Sequence, residues 1–245
     1  MLLCGCISIS KDPAFIAMSQ EAAGPRPPAL EPVVEEGEVV HPDREAVDPA
    51  AVGTKVAATY QRHNNTLCRL HWKMRTRLQM EGTPVLEVLH SMRLDEHGDV
   101  HRTLRQTRSR SDGRGVLVAQ AADPQRLEQT EMLADLVHAY THTLSGKLIQ
   151  GMKTASWHPA PKPKGAWHCT LTDVLVPGDQ AQVTAWPNGD LIDIQFHSLP
   201  DTQPCTGTIT FRALPDGTTY PATTIIQVHQ QPLQATVECF QYRSF

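Results

Sequence analysis

The sequence predicts an α+β fold over residues 51–245: a single curled antiparallel β-sheet, half-barrel-like, with two helices packed on one face. Three observations carry that expectation. Apolar and polar residues alternate from Cys68 onward in short runs that end at Gly, Pro, Asn or Asp, as half-buried strands do. Two stretches, one before the first strands and one in mid-chain, carry helical spacing instead. Tight turns join the strand runs, so they pair antiparallel, and helices laid on one face cover the apolar side. A sheet with this many strands curls.

The first helix is read from "AAVGTKVAATYQRHNNTL", with Val52, Val56, Thr59, Tyr60 and His63 on one face and Asp48-Pro49 as N-cap and first helical residue. "CRLHWKMRTRLQM" then alternates. Leu70, Trp72, Met74, Thr76 and Leu78 face inward, while Arg69, His71, Lys73, Arg75 and Arg77 make a basic outer face. Glu81-Gly82 turns the chain into "PVLEVLHSMRL", and "DEHGD" turns it again into "VHRTLRQT".

"DPQRLEQTEMLADLVHAYTHTLSGKL" is the mid-chain helix. Asp123 caps it, Pro124 opens it, and Leu133, Leu136, Val137, Tyr140 and Leu144 form its apolar stripe. Ser145-Gly146-Lys147 reads as a helix end that begins nothing further. After "HPAPKPKG" the rest is β: "AWHCTLTDVLV", "QVTAW", an Asn188-Gly189 hairpin, "DLIDIQFHSL", "TGTITFRAL", the Pro215-Asp216-Gly217 turn, "TYPATTIIQVHQ" and "LQATVECFQYR".

A chain of 245 residues with 40% apolar residues can build a normal core. Aromatic residues are only 5% and net charge is −4. Aromatic stacking platforms are therefore disfavoured, and nothing draws the whole protein to nucleic acid or anionic membrane. No apolar run approaches the roughly 18 residues of a transmembrane helix.

The opening "MLLCGCISIS" holds Leu3-Cys4-Gly5-Cys6, which resembles a bacterial lipobox with Cys6 as the lipidated residue. Residues 1–23 then read as a lipobox-like signal remnant, and any membrane contact is through that anchor alone. A cytoplasmic protein whose N-terminus holds two incidental cysteines, or initiation at Met18, are the alternatives. Residues 24–50 carry six prolines among an excess of Glu and Asp. That composition stays extended and solvated, as a linker does.

No constellation in the sequence assembles a catalytic mechanism, a cofactor site or a metal site. The six cysteines form no CxxC. Cys68, Cys169, Cys205 and Cys239 are open to two readings, buried free thiols or one cross-strand bond, with no pair selected. His138 and His142 stand four apart on the helix, opposite the apolar stripe and so facing water. Ala139 stands where HExxH needs its glutamate. Asp173, Asp179, Asp190 and Asp193 read as turn residues. Arg69, Lys73, Arg75, Arg77, Arg102, Arg105, Arg108, Arg110 and Arg114 read as one basic patch, partly paired with Glu87 or Asp95. No aromatic interleaves that patch, so nucleic acid is not expected.

"TYQRHNNTLCRLHWKMRTRLQMEGTPVLEVLHSMRLDEHGDVHRTL", "LADLVHAY", "VPGDQAQVTAW", "FRALPDGTTYPATTIIQ" and "VECFQYR" follow one another in an order that resembles a family of uncharacterised exported bacterial proteins. The architecture is also similar to the half-barrel of bacterial lipoprotein-carrier proteins, in which helices line a concave apolar face. These resemblances imply export, to the periplasm or to an outer-membrane anchor. They lead to a non-catalytic binding module for a lipid or acyl chain, lined by Trp72, Met74, Leu133, Tyr140, Ile194, Phe196 and Phe211. The alternative is a structural protein of the envelope that meets a protein partner through the basic sheet face.

Overall fold

The computed structural model describes residues 48–95, 99–110, 117–119, 122–141, 146–198, 204–229 and 231–244. The unit Ala46–Phe245 opens with helix α1 (Pro49–Leu67). Strands β1 (Leu70–Met80), β2 (Thr83–Leu94), β3 (Val100–Arg110) and β4 (Leu117–Ala119) follow. Helices α2 (Pro124–Thr141) and α3 (Gly146–Thr154) come next. The chain then returns to β5 (His158–Pro159), β6 (Trp167–Thr172), β7 (Gln180–Ala185), β8 (Leu191–Ser198), β9 (Cys205–Ala213), β10 (Thr219–Val228) and β11 (Leu233–Ser244).

Among the described residues these strands form one open, curled sheet in the order β4-β3-β2-β1-β11-β10-β9-β8-β7-β6-β5, antiparallel throughout. Two meanders are fused where the first strand meets the last, with Met74 opposite Cys239 and Leu78 opposite Ala235. The edges are therefore β4 and β5. The chain has to pass from one edge to the other between them, and α2 and α3 lie along that path. α2 packs on β1, β10 and β11, and α3 on α1 and β6.

The alternation read from the sequence sets the two faces. One cross-strand row of the inner face runs Val88, Thr76, Val237, Thr224, Ile209, Ile194, Val183 and Cys169, all buried. Burial of eight side chains from as many strands in one row is what makes this register unique. A one-residue slip would turn a whole strand's apolar set to water. Glu81 and Gly82 both take positive φ, 51° and 75°, as the two-residue turn between twisted strands demands.

The helical layer departs from expectation. α2 stops at Thr141, and Gly146 begins α3 where the sequence was read as ending a helix and starting none. Leu148, Ile149 and Met152 of α3 are all buried. Burying side chains of this kind contributes about 1.5–3 kcal/mol each, which outweighs the roughly 1 kcal/mol that glycine costs a helix. α1 and α3 approach closely at Gly53, where a Cβ would meet the Met152 carbonyl and Trp157 Nε1. Trp157 in turn donates from Nε1 to that carbonyl at 2.9 Å.

Candidate functional site

The seven side chains expected to line an apolar site come to the inner face from β1, α2, β8 and β9. Trp72, Met74, Leu133, Tyr140, Ile194 and Phe196 are buried, and Phe211 packs half-buried against the same core. The fold brings them together as two groups. Tyr140 of α2 stacks on Phe196 of β8 with centroids 4.5 Å apart. Trp72 of β1 stacks on Tyr242 of β11 at 5.4 Å, and Tyr220 closes that second cluster. Phe196 lies flat because its neighbour on β9 is Gly207, where a Cβ would run into the ring.

Polar ties fasten α2 over this apolar floor at two places, mid-helix and near its C-terminal end. Mid-helix, Glu131 accepts from His90 of β2 at 3.0 Å and pairs with Arg102 of β3 at 3.1 Å. Arg102 also reaches Asp135 at 2.7 Å. The His90 hydrogen bond is the main cause that holds the Glu131 carboxyl below its usual pKa, against its own burial. Near the C-terminal end the Tyr140 hydroxyl donates to Asp179 at 2.9 Å. Asp179 is fully buried and also accepts the backbone N–H groups of Val174, Leu175 and Val176. Burial foremost, with the adjacent Asp179 charge, raises the Tyr140 pKa.

Three sequence expectations are corrected here. Asp193 is not a turn residue but lies within β8, whereas Asp179 does close its turn, its side chain folded back into it. His138 does not face open water: it is half-buried, and burial foremost, then the Arg102 charge, pushes its pKa down to about 4. His142 lies outside the described residues, as do Cys6, Leu144 and Arg114. Arg102 leaves the outer basic patch. The β2–β3 register shifts after Leu89, so that Gln106 faces Leu89 but Leu104 faces His90. Arg105 is the extra residue of this bulge, and the residues before it change face.

Two carboxylates engage three arginines of the remaining basic patch. Glu87 contacts Arg77 at 2.8 Å, Arg108 at 3.5 Å and Arg75 at 3.9 Å. Glu238 pairs with both Arg75 and Arg77 at 3.5 Å. Arg75 also lies over the Phe240 ring. Asp95 pairs with His101 at 3.0 Å.

The other half of the outer face was missed as a site. From β6 to β10 the outward positions are almost all Thr or Gln. One row runs Thr170, Gln182, Gln195, Thr208, Ile225, and the next Thr172, Gln180, His197, Thr206, Gln227. A shallow depression of about 510 Å³ lies over them. Each residue had been read only as the polar half of a strand. The signal in the sequence was the run of Thr and Gln at those half-positions, with Asp193 at its margin.

The four described cysteines are free thiols. Cys169, Cys205 and Cys239 sit on β6, β9 and β11, no two of which are neighbours. Strands two apart are separated by about 9–10 Å, beyond disulfide reach. Burial pushes the Cys169 and Cys239 thiols up to about 12.

No family model and no curated protein matches the chain. Among solved structures it is similar to a LolA superfamily protein from Nitrosomonas europaea, at 9% identity and a TM-score of 0.43, covering 79% of this chain and 94% of that one. It is also similar to a DUF1329 family protein from Desulfovibrio piger, at 6% identity and a TM-score of 0.45, covering 80% and 93%.

Proposed function

We propose that this protein is a non-catalytic binding module of the cell envelope that takes up an apolar ligand, a lipid or acyl chain, between α2 and the inner face of its sheet. The observation that supports this most is how α2 is attached. Its inward side chains Leu133, Leu136 and Val137 are buried in the apolar core, while its polar ties gather at Glu131–Asp135 on the mid-helix flank and at Tyr140 near the C-terminal end. Apolar contact between helix and sheet is non-directional, so an acyl chain can replace it with little loss, provided one end lets go. The half of the helix tied by Glu131 is the end that lifts, because Glu131, Asp135 and Arg102 reach solvent and His90 alone of that network is buried, whereas the Tyr140 partner Asp179 is fully buried. The lining is then Trp72, Met74, Leu133, Tyr140, Ile194, Phe196 and Phe211. In the closed state these pack on one another.

In this proposal the protein is exported and lipidated at Cys6, and residues 24–50 tether the module to the membrane. No helix among the described residues is long and apolar enough to cross a membrane. The basic face of β1–β3 as a platform for an envelope partner takes second place, because Glu87 and Glu238 already occupy its arginines.

Native mass spectrometry of gently purified protein tests the reading. The expected spectrum shows a lipid-sized adduct, and Arg102→Ala, which frees Asp135 and leaves Glu131 its His90 tie, raises the uptake rate of a fluorescent fatty acid several-fold. Bare protein in the spectrum, together with no fatty-acid uptake by either form, would overturn it.

A further inference from the structure

The outer-face depression over β6–β10 uses none of the acyl-site chemistry and stands independently of it. Its lining side chains are Thr, Gln, one His and Ile225, with Phe196 and Gly207 behind them and no Asp, Glu, Lys or Arg. On the same face, β1 to β3 are dense in Arg. The depression is thus an uncharged field on a face that carries charge elsewhere, with Asp193 hydrogen-bonded to Gln195 at its border.

We propose that this depression binds a neutral glycan chain. Hydroxyl and primary amide groups each donate and accept hydrogen bonds, as do the hydroxyls of a polysaccharide. A phosphate or carboxylate would find no counter-charge there, and a lipid tail would meet polar atoms. Two of the amides are already oriented. Gln182 donates from Nε2 to His168 Nδ1 at 3.2 Å, and Gln227 donates from Nε2 to the Leu233 carbonyl at 3.1 Å. Their amide oxygens are left to accept from a ligand, and such ordering lowers the entropy lost on binding. Ile225, 46% exposed, supplies an apolar spot against which the C–H face of a pyranose ring can rest. The strands repeat every 4.8 Å or so, which presents like groups at regular intervals to a repeating chain. The volume of about 510 Å³ falls within the usual range for small-ligand sites, roughly 300–1,000 Å³.

Titration of the full chain with chitohexaose and cellohexaose, followed by amide NMR shifts, tests this. A galacturonate oligomer of equal length is the anionic control. Shifts are expected on the outward residues of β6–β10, with little response to the galacturonate. Thr208→Lys and Gln195→Ala, both at exposed strand positions, each weaken binding by about tenfold or more, roughly 1.4 kcal/mol. Neither residue belongs to the acyl lining, so loss of glycan binding with fatty-acid uptake intact identifies this site alone. Absence of shifts with both neutral oligomers at millimolar concentration would overturn the proposal. So would an equal response to galacturonate, or full affinity in both variants.

Discussion

Asp179 shows how much one side chain can organise. Its carboxylate is buried, yet three backbone N–H groups and the Tyr140 hydroxyl satisfy it. Hydrogen bonds to a charged group are worth about 1.5–3 kcal/mol each, so Tyr140→Phe, which removes one donor of four, should cost about 1–2 kcal/mol in urea unfolding. Asp179→Ala strands every donor and should cost about 3–5 kcal/mol. The double variant should be little worse than Asp179→Ala alone, because the shared contact is lost only once. Additive losses would show that the Tyr140 hydroxyl contributes through a partner other than Asp179, such as Ser198. Gly207 is a second such residue. A methyl group there meets the Phe196 ring, and Gly207→Ala should cost about 2–3 kcal/mol in the same assay. Glycine inside a strand signals close approach, so this contact was within reach of the sequence. The role of Asp179 was not, since a Pro-Gly-Asp turn reads the same whether its aspartate points out or back.

At the scale of elements, strands were legible and helix boundaries less so. Period-two alternation carries each strand's face in its own residues, so Trp72, Met74 and Leu78 could be placed inward without knowing their neighbours. The break between α2 and α3 depends on partners far along the chain: α3 exists because α1 and β6 offer it a surface. The bulge at Arg105 is illegible for the same reason, since it is a property of two strands together, and it moved Arg102 from the outer patch to the α2 tie. Gly53 tests the α1–α3 contact. Alanine improves helix propensity by about 1 kcal/mol, so a helix governed by propensity would gain from Gly53→Ala. The Cβ, however, falls on a backbone carbonyl and on Trp157, neither of which can yield cheaply. A net loss of about 1–3 kcal/mol is expected, read as a lower urea midpoint. A gain would mean that α1 and α3 slide past each other freely.

The whole molecule couples its stability to pH through histidines that belong to different elements but share one sign. His63 of α1 is buried at 6% exposure, and its Nδ1 accepts the Thr219 N–H at 3.2 Å from the β9–β10 hairpin. Burial, its largest cause, lowers its pKa, while Asp190 opposes that fall. His138 of α2 is driven to about 4. The unfolded chain takes up protons on both near the ordinary value of 6.5, while the folded chain resists. Their contribution is therefore intact above about 6.5, shrinks as pH falls, and for His138 is exhausted near 4. A displacement as large as that of His138 corresponds to at most about 3 kcal/mol, less because the ring is only half-buried. Glu131 extends the decline, since its lowered pKa loses stability only below the ordinary carboxylate value. Asp193, raised chiefly by burial, opposes the decline only towards the acid end. The histidine signal is thus cleanest between about pH 7.5 and 5.5, where the urea midpoint should fall steadily with acid. Replacing His138 by Gln, which keeps a side-chain N–H donor but cannot take the proton, should flatten that slope and leave a smaller remainder from His63. A midpoint independent of pH across that interval, or an unchanged slope in the variant, would show that these imidazoles reach water in the folded protein and that α2 is less tightly seated than the structure shows.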